Sequence, residues 1–379
     1  ICSFFKGASI PRARMSESGD YLYLHYGDLY KGHETYINVN NPQSDIPFIS
    51  DVEKLKKEQF VEDGDIIYIL TSETIEDLGK ALMVINPDKK EVVSGTETTI
   101  MKILDKQTVE PRWLNYLLQT NRFKQLLRQY VTGMKVFRVH PRDISKIVIE
   151  LPPIDVQRNI VEILDSINSL IQLNLKLNDY LAETADSLFI NTFGHLEENA
   201  VLSDIANITM GQSPTGASYN NVGNGAVFYQ GRGEFGWRFP TRRLFTTEPK
   251  RMAKAGDILM SVRAPVGDLN IAYEDCCIGR GLAVINCSYP SFCLYLMRSL
   301  CKKLNAYNSE GTVFGSINSK DLKNIEIALP NVEDIIGFED KVVPIDNLIK
   351  FNEIENRNLS QLRDMLLSKL ISVKIHVGY

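Results

Sequence analysis

The chain has 379 residues, a formal net charge of −5 and 44% hydrophobic residues, values typical of a soluble globular protein with two or three domains. No run of 18 apolar residues occurs, which excludes a membrane-spanning helix, and the start ICSFF lacks the pattern of a signal peptide. Six cysteines without a CxxC pair and five scattered histidines lack zinc-ligand spacing. We therefore expect reduced thiols, no metal site and a cytoplasmic protein.

The first 150 residues combine strand patterns with a helical pattern. Apolar or alternating runs at Tyr21–Tyr30, Ile66–Leu70, Ala81–Ile85 and Thr98–Leu104 predict strands. From Pro111 the apolar residues recur at helical spacing, with the proline in the favoured first position of the helix. These patterns predict a mixed α/β domain over residues 1–150.

The segment from Leu151 to Asn191 has heptad spacing over four to five repeats, which is typical of a long helix packed along another helix. Pro152 and Pro153 suit its start, and nothing breaks the pattern before Gly194. At 1.5 Å per residue, it would be roughly 54 Å long. We predict that it packs through a seam of Ile160, Ile163, Ile167, Leu170, Asn174, Leu177, Leu181 and Leu188.

The partner helix is found by shifting the sequence against itself by 178 residues, which aligns Arg142–Asp155 with Lys320–Glu333. The shift places Asn174 on Asn352. A buried Asn in such a seam fixes the helix register at a cost in stability; alternatively, both side chains are solvated. The seam residues predicted for the second helix are Ile345, Leu348, Asn352, Leu359, Leu362 and Leu366.

The repeat divides the chain into two globular domains, each followed by a helix. We predict domains at 1–150 and 196–330, with helices within 151–195 and 331–379. Gly337 and Pro344 interrupt the helical pattern of the last segment, so its continuous part is predicted from Ile345 to about Ser372. The net charge is −1 for 1–150, −6 for 151–199, +4 for 200–330 and −2 for 331–379. The excess of acidic over basic residues thus lies on the helices, which leaves the domains able to carry a DNA-facing patch.

Sequence motifs for catalysis are weak or missing. GRGEFG (231–236) fits the dinucleotide pattern GxGxxG, but Pro240 argues against the helix that should follow. PDKKEV (87–92) resembles a nuclease motif but lacks its last lysine. No P-loop, HExxH or GxSxG occurs. We therefore expect a chain without catalytic residues of its own.

Both domains instead carry loops rich in Arg, Lys, Gln, Ser, Gly and aromatic residues. Arg reads guanine, Gln reads adenine, and Ser or Lys can hold phosphates. The alternative is that these are solvated loop residues. The candidate DNA contacts are Lys6, Arg12, Arg14, Tyr23, His25, Lys31, Thr71, Lys135 and Arg138 in the first domain, and Gln212, Ser213, Gln230, Arg232, Trp237, Arg242, Arg243, Arg263 and Arg280 in the second.

The chain resembles the specificity subunits of type I restriction-modification systems over nearly its whole length. LPPIDVQRNIVEILDSINSLI (151–171) is similar to the central conserved region of that family, and LPNVEDIIGFEDKVVPIDNLI (329–349) stands where the family has its C-terminal conserved region. GQSPTG, GDILMSVRAPVGD and IGRGLAVI look like phrases of its target-recognition domains. Two positions of the second helix depart from the pattern: Asn331 replaces a proline and Ile335 a glutamine.

The resemblance implies α/β (α+β) target-recognition domains in two copies, joined by two long antiparallel helices with pseudo-two-fold symmetry. It also implies a non-catalytic subunit that recognises a bipartite site in double-stranded DNA. Two modification subunits would dock on it and bind S-adenosylmethionine, and restriction subunits would join where present. The alternatives are a coiled-coil scaffold whose domains bind proteins and, less favoured by the motifs, an enzyme.

Overall fold

The computed structural model describes residues 1–30, 33–42, 44–50, 55–308, 315–371 and 375–377. The chain forms two compact units, the first of Ile1–Gln172 with Glu355–Tyr379 and the second of Leu173–Ile354. The division falls inside both long helices rather than at their ends, because each globular domain packs on the helix segments nearest to it.

Residues 1–150 combine strands and helices, as predicted, but the helical pattern that begins at Pro111 forms two helices and a further short helix follows. The strands are β1 (Cys2–Lys6), β2 (Met15–Ser16), β3 (Tyr21–Leu24), β4 (Tyr36–Asn38), β5 (Phe48–Ile49), β6 (Ile66–Ile69), β7 (Thr71–Ser72), β8 (Lys80–Ile85), β9 (Val92–Ser94), β10 (Thr99–Ile103), β11 (Phe137–Arg138) and β12 (Ile147–Ile149). The helices are α1 (Pro111–Gln119), α2 (Asn121–Arg128) and α3 (Pro141–Ile144), with 3-10 helices at Arg12–Arg14 and Lys57–Gln59. The strand predicted over Tyr21–Tyr30 ends at Leu24, where a turn begins.

The rest of the chain begins with the long helix α4 (Ile154–Phe193) and repeats the scheme. The strands are β13 (Ala200–Val201), β14 (Ala206–Met210), β15 (Tyr219–Asn220), β16 (Ala226–Tyr229), β17 (Phe245–Thr246), β18 (Met252–Ala253), β19 (Ile258–Ser261), β20 (Leu269–Ile271), β21 (Cys276–Ile278), β22 (Leu282–Cys287) and β23 (Glu326–Ile327). The helices are α5 (Pro290–Ser299), α6 (Cys301–Ala306), α7 (Ser319–Lys323) and α8 (Val332–Leu370), followed by β24 (Ile375–Val377), with 3-10 helices at Leu202–Asp204, Gly216–Ser218 and Arg232–Glu234.

The first unit is built on a five-stranded sheet, β1-β10-β6-β8-β4, and a four-stranded sheet, β2-β5-β3-β9. Strand β6 is buried on both faces, which explains its unbroken apolar sequence. Ile66 and Tyr68 face a core with Trp113 of α1, whereas Ile67 and Ile69 face a second core. The alternation follows from the two-residue period of a strand.

The second unit has the corresponding pair of sheets, β14-β22-β19-β20 and β15-β17-β16-β21-β18. Its strand β19 takes the place of β6. Ile258 and Met260 face the core that contains α5, and Leu259 faces another core. The internal repeat predicted from the sequence is therefore present in the sheets as well as in the helices.

In each unit, the segments of α4 and α8 that belong to it run antiparallel. In the first unit, Arg363 donates to Asn168 Oδ1 at 3.2 Å, and Ile160 shares a core with Ile371. In the second unit, Asn352 Nδ2 donates to Asn178 Oδ1 at 2.8 Å, and the ring centroids of Phe189 and Phe338 are 5.6 Å apart. In both units, positions later in α4 thus pair with positions earlier in α8.

Three of the eight seam positions predicted for α4 are wrong, each by one residue. The predicted positions Ile160, Ile167 and Asn174 are buried, and Leu181 and Leu188 are half-buried. The alternate positions Ile163, Leu170 and Leu177 are 46, 38 and 39% exposed. The helix instead packs through residues three and four positions apart, which are Ile160, Leu164, Ile167, Ile171, Asn174 and Asn178.

The second helix shows the same pattern. Ile345, Leu359 and Leu366 are half-buried and Asn352 is buried, whereas Leu348 and Leu362 are exposed by about two fifths and do not belong to the seam. Asn174 and Asn352 have 6 and 4% exposure, so the alternative that both are solvated is wrong. The same offset relates a second buried pair, Asn178 and Asn356.

The prediction that α8 begins only at Ile345 is also wrong, because α8 is continuous from Val332 with Pro344 inside it. A proline removes the hydrogen bond to the carbonyl four residues earlier. Here both Pro344 and Asp340 are exposed, so water can replace that bond. At the start, Asn331 Oδ1 accepts from the Asp334 N–H at 2.9 Å and does the work of an N-cap.

The starts of α4 and α8, here called the helix entries, differ at one pair of positions related by the repeat, Gln157 and Ile335. Gln157 is fully buried and its side chain accepts from the Glu110 N–H at 2.9 Å and donates to the carbonyls of Thr108 and Pro152 at 2.9 and 2.8 Å. Its counterpart Ile335 is buried in an apolar core. The entry to α4 is therefore held by polar contacts and that to α8 by apolar packing.

The corrected register leads to a test on two adjacent residues. We expect Leu164→Asp to lower the free energy of unfolding by several kcal/mol, because Leu164 has 0% exposure and the new charge would be buried without a partner. Ile163→Asp is the matched control, with an expected change of at most about 0.5 kcal/mol at this 46% exposed site. Urea denaturation followed by circular dichroism measures both. Equal effects would contradict the register.

Candidate nucleic-acid interface

In the second unit, loops from four strands meet at one edge. Strands β16 and β21 are parallel, with Tyr229 opposite Ile278, so their carboxyl ends lie at the same edge. The loops that leave them are joined by two backbone hydrogen bonds, from Gly279 N to Tyr229 O at 2.8 Å and from Gly281 N to Gln230 O at 3.2 Å. This brings Gln230 beside the Gly279–Gly281 loop.

Two further loops join the same edge. After β14, Gln212 N donates to Ile278 O at 3.0 Å, and Ser213 Oγ accepts from the Arg280 N–H at 3.2 Å. After β19, Val262 N donates to Gly281 O at 2.9 Å. We call the set Gly211–Ser213, Gln230–Arg232, Val262–Arg263 and Gly279–Gly281 the second loop surface.

Glycine is required where these loops cross. A Cβ on Gly211 would lie 2.1 Å from Gly279 O, and one on Gly281 would lie 2.8 Å from Gln230 O. Larger residues would force the loops apart. The loops thus approach closely enough to bring together Gln212, Ser213, Gln230, Arg263 and Arg280, five of the predicted DNA contacts.

The five arginines predicted as DNA contacts in the second unit divide into those with an ion pair and those without one. Arg232 is ion-paired with Asp268, and Arg242 is ion-paired with Glu274. The exposed side chains of Arg243, Arg263 and Arg280 form no ion pair with another residue that the structure describes. The unpaired guanidinium groups are the ones available for an anion or a base without first breaking an internal contact.

Trp237 lies outside the second loop surface. Its ring is 44% exposed, and the Arg238 guanidinium stands 5.3 Å from the ring centroid. Arg242 and Arg243 belong to the same following segment. That segment is joined to the Arg232–Glu234 turn by the hydrogen bond from Thr241 N to Glu234 O at 2.8 Å.

The first unit has the same loop arrangement. Strands β3 and β9 are parallel, and Gly95 N donates to Leu24 O at 3.0 Å where they end. After β1, Ala8 N donates to Ser94 O at 2.7 Å. After β6, Thr71 pairs with Arg138 of β11. We call the set Gly7–Ile10, His25–Gly27, Gly95–Thr98, Thr71 and Arg138 the first loop surface.

Tyr23 is not a DNA contact, contrary to the prediction. Its side chain has 0% exposure, and its hydroxyl accepts from the N–H groups of Ile10 and Thr96 at 3.1 and 2.9 Å and donates to Ala8 O at 2.7 Å. The tyrosine ties two loops of the first loop surface together from below. Its contribution is to their shape.

His25 is largely buried, with 8% exposure, and its Nδ1 accepts from the Gly27 N–H at 3.2 Å. Burial lowers the pKa of His25, the nearby Asp28 raises it and Arg12 lowers it further. The ring is therefore neutral at pH 7. It is suited to a neutral hydrogen bond rather than to an ion pair with a phosphate.

Of the remaining predicted contacts of the first unit that the structure describes, all are exposed apart from the half-buried Thr71. Arg12 is paired with Asp28 at 3.2 Å, and the Arg138 guanidinium lies 3.6 Å from Glu97. Lys6, Arg14 and Lys135 are exposed, and Lys31 lies outside the described residues. Glu97 was not among the predicted contacts. It has a positive φ of 56° at the position that Gly281 occupies in the second unit.

In each unit, a carboxylate on a long helix accepts several hydrogen bonds from the domain. In the second unit, Asp346 accepts from Ser291 Oγ at 2.6 Å, Tyr295 OH at 2.9 Å and the Arg238 guanidinium at 3.3 Å. Burial raises the pKa of the Tyr295 hydroxyl, which stays protonated and donates.

In the first unit, Asp165 has the corresponding role. It accepts from Tyr36 OH at 2.6 Å, Tyr116 OH at 2.7 Å and Arg112 at 3.0 Å. Burial raises the pKa of both tyrosine hydroxyls. The loop surfaces therefore rest on domains that are clamped to helices.

Two features are absent from the part of the chain that the structure describes. Among them, no three His, Cys, Asp or Glu side chains are grouped so as to hold a metal ion. Nor does any helix formed by these residues have the length and apolar character to cross a membrane. The absence of a metal site remains a prediction.

Comparison with known proteins gives a consistent family. The model of the type I restriction modification DNA specificity domain matches residues 1–183 and 198–363. A putative type I restriction enzyme MjaX specificity subunit of Methanocaldococcus jannaschii is 30% identical over 371 residues, covering 89% of this chain and 86% of that one. The MjaVIII specificity subunit of the same organism is 22% identical over 332 residues, covering 76 and 75%.

The solved structures support the fold. The crystal structure of a type I restriction-modification S subunit from M. genitalium matches with a TM-score of 0.51 and 17% identity, covering 97% of this chain and 93% of that one. The predicted fold class, two mixed α/β domains with long helices and an internal repeat, is confirmed.

Proposed function

Because the chain belongs to the family of type I restriction-modification DNA specificity subunits, we propose that each of its loop surfaces reads one half of a bipartite DNA sequence. The observation that carries the proposal is the recurrence of the same crossed loops in both units, after β1, β3, β6 and β9 in one and after β14, β16, β19 and β21 in the other. One polypeptide thereby has two similar surfaces for two short sequences.

The residues of the second loop surface suit base recognition. Arg280 and Arg263 can donate two hydrogen bonds to O6 and N7 of guanine, and Gln212 and Gln230 can pair with N6 and N7 of adenine. Ser213 and the loop N–H groups suit phosphate contacts, which position the duplex without reading it. The first loop surface has fewer cations, and Thr71, His25 and Arg138 are the predicted contacts among its polar groups.

We infer that the long helices set the number of unspecified base pairs between the two half-sites. Support comes from α4, a single helix of 40 residues. At 1.5 Å per residue its length is about 60 Å. A helix without a break has a fixed length, and in symmetric DNA-binding proteins such fixed geometry determines the half-site spacing.

The helices also offer docking surfaces for two modification subunits. Val156, Ile163, Leu170 and Leu177 recur every seven residues on α4 and are each 38% exposed or more. Exposed apolar stripes of this kind mark protein interaction sites. The specificity subunit itself would remain non-catalytic, with S-adenosylmethionine bound by the modification subunits and restriction subunits joining where present.

Selection from random duplexes by the assembled methyltransferase tests the proposal. We expect two short defined sequences separated by a constant number of undefined base pairs. A single contiguous site, or no enriched sequence, would refute it. Replacing residues 1–150 by the corresponding domain of a relative should change one half-site only, and a change in both would refute the division of labour between the surfaces.

Arg280 is the residue of the second loop surface with the clearest expected effect. Arg280→Ala should remove about 1–3 kcal/mol of discrimination at one base pair of the second half-site, because its bidentate contact would be lost. Competition binding against duplexes substituted at each position measures this. Lys302→Ala, an exposed change on α6, is the control. Relaxed specificity in the first half-site, or none in either, would contradict the assignment.

A further inference from the structure

A short hairpin beside the first loop surface carries an exposed apolar tip. Thr132 and Arg138 exchange two backbone hydrogen bonds of 2.9 Å, and Gly133 has a φ of +100° that permits the tight turn. At the tip, Met134 is 95% exposed, the highest value among the large apolar side chains that the structure describes. Val136 beside it is 40% exposed.

The base of this hairpin is firmly held. Phe137 and Arg138 form β11, which pairs with Thr71 and Ser72 of β7. Phe137 and Val131 pack against the core around Trp113. The base of the hairpin is therefore fixed by strand pairing and by core packing, and the path of the backbone leaves Met134 exposed at the tip.

The hairpin adjoins the first loop surface through charged contacts. The Arg138 guanidinium lies 3.6 Å from Glu97, which stands in the loop after β9. Lys135 is exposed next to Met134, and the Arg138 side chain is 61% exposed. An exposed apolar group with a cation as its neighbour fits a nucleic-acid groove, where the cation meets a phosphate and the apolar group meets bases.

Duplex DNA offers an apolar partner to a side chain at a loop tip. The major groove of B-DNA, about 12 Å wide, exposes the thymine methyl group to apolar contact. We infer that Met134 enters the groove of the first half-site and buries its side chain against the bases. The inference rests on the proposed function, because it requires that the first loop surface faces DNA.

The first test separates apolar from ionic contacts by their salt dependence. In the assembled methyltransferase, Met134→Ala should weaken binding to the cognate duplex on the order of tenfold, as expected for loss of a buried apolar side chain. The slope of log affinity against log salt should stay unchanged, because no phosphate contact is lost. Lys135→Ala is the matched neighbour and should lower that slope by about 1.

The outcomes are distinguishable. If the wild-type complex shows no salt-dependent DNA binding, the proposed function fails and the inference fails with it. If the wild type binds but Met134→Ala has the same affinity, or changes the salt slope as Lys135→Ala does, only the inference is overturned. Met134→Gln keeps the side-chain length and should show a smaller loss than alanine if the contact depends on reach.

A second readout uses the chemistry of the thioether. Exposed methionine oxidises readily to the sulfoxide, so mild peroxide followed by mass spectrometry of the peptide measures the exposure of Met134. Cognate DNA should slow this oxidation at least severalfold, and DNA with a scrambled first half-site should protect it less. Equal oxidation rates with both duplexes would overturn the inference.

Discussion

Replacing Asp346 by alanine is expected to lower the free energy of unfolding by about 3–5 kcal/mol, the range for breaking a buried ion pair from one side. Arg238 is 4% exposed and would keep its charge without the carboxylate. The hydroxyls of Ser291 and Tyr295, which donate to Asp346 at 2.6 and 2.9 Å, would lose their acceptor as well. Unsatisfied buried donors add to the loss.

Urea denaturation followed by circular dichroism and by tryptophan fluorescence, to which Trp113 and Trp237 both contribute, measures the effect. Asp340→Ala on the same helix removes an exposed carboxylate and should change stability by less than about 0.5 kcal/mol. Asp346→Asn retains an acceptor for the hydroxyls and should fall between the two. If Asp346→Ala behaves like Asp340→Ala, the carboxylate does not hold the domain to α8.

Phe338→Ala is expected to cost about 3–5 kcal/mol, the range for truncating a buried aromatic side chain. The Phe338 ring packs against Phe189, Phe193 and Phe292 with centroids 5.6, 5.5 and 6.4 Å away. Its loss would leave a cavity among three rings, since a close-packed core collapses only partly.

The matched control for this change is Phe351→Ala, the same substitution on the same helix. Phe351 is 61% exposed, so its loss should change the free energy of unfolding by at most about 0.5 kcal/mol. Both variants are compared by urea denaturation. Similar midpoints for the two would show that the aromatic cluster contributes little to the second unit.

Sequence periodicity predicted the existence of the helices and the repeat but left the seam ambiguous. Both Ile163 and Leu164, and both Leu170 and Ile171, are apolar, so spacings of three and four from Ile160 are equally well supported. Only the partner helix decides which of them is buried. The amide pair of Asn178 and Asn352 depends on that choice and was invisible to a one-dimensional pattern.

The continuation of α8 through Pro344 has a similar explanation. The sequence shows the missing N–H, but not that Asp340 and Pro344 both lie on the exposed side of the helix. The rule that proline breaks a helix describes the loss of one backbone hydrogen bond. The free-energy cost of that loss depends on whether water can reach the freed carbonyl group.

For the loop surfaces, residue type indicated the candidate DNA contacts, but the sequence could not show which of those residues lie next to each other. Gln230 and Arg280 are 50 positions apart in the sequence, and only the parallel pairing of β16 with β21 brings their loops together. The pairing of Arg232 with Asp268 likewise joins distant residues. Met134 carries no recognition signal by composition, although it directly follows Gly133 in GMKVF, and a glycine between two patterned segments is typical of a turn.

The contrast between Gln157 and Ile335 bears on how such a gene can change. Unequal crossing-over between its two homologous halves would transplant one helix entry into the setting of the other. An incoming glutamine at position 335 would then sit in the apolar core of the second unit, where Ile335 now packs, away from the carbonyl of Thr108 and the N–H of Glu110. The cost is about 1–3 kcal/mol for each buried polar group left without a partner, so the two helix entries are no longer interchangeable at this position without a loss of stability.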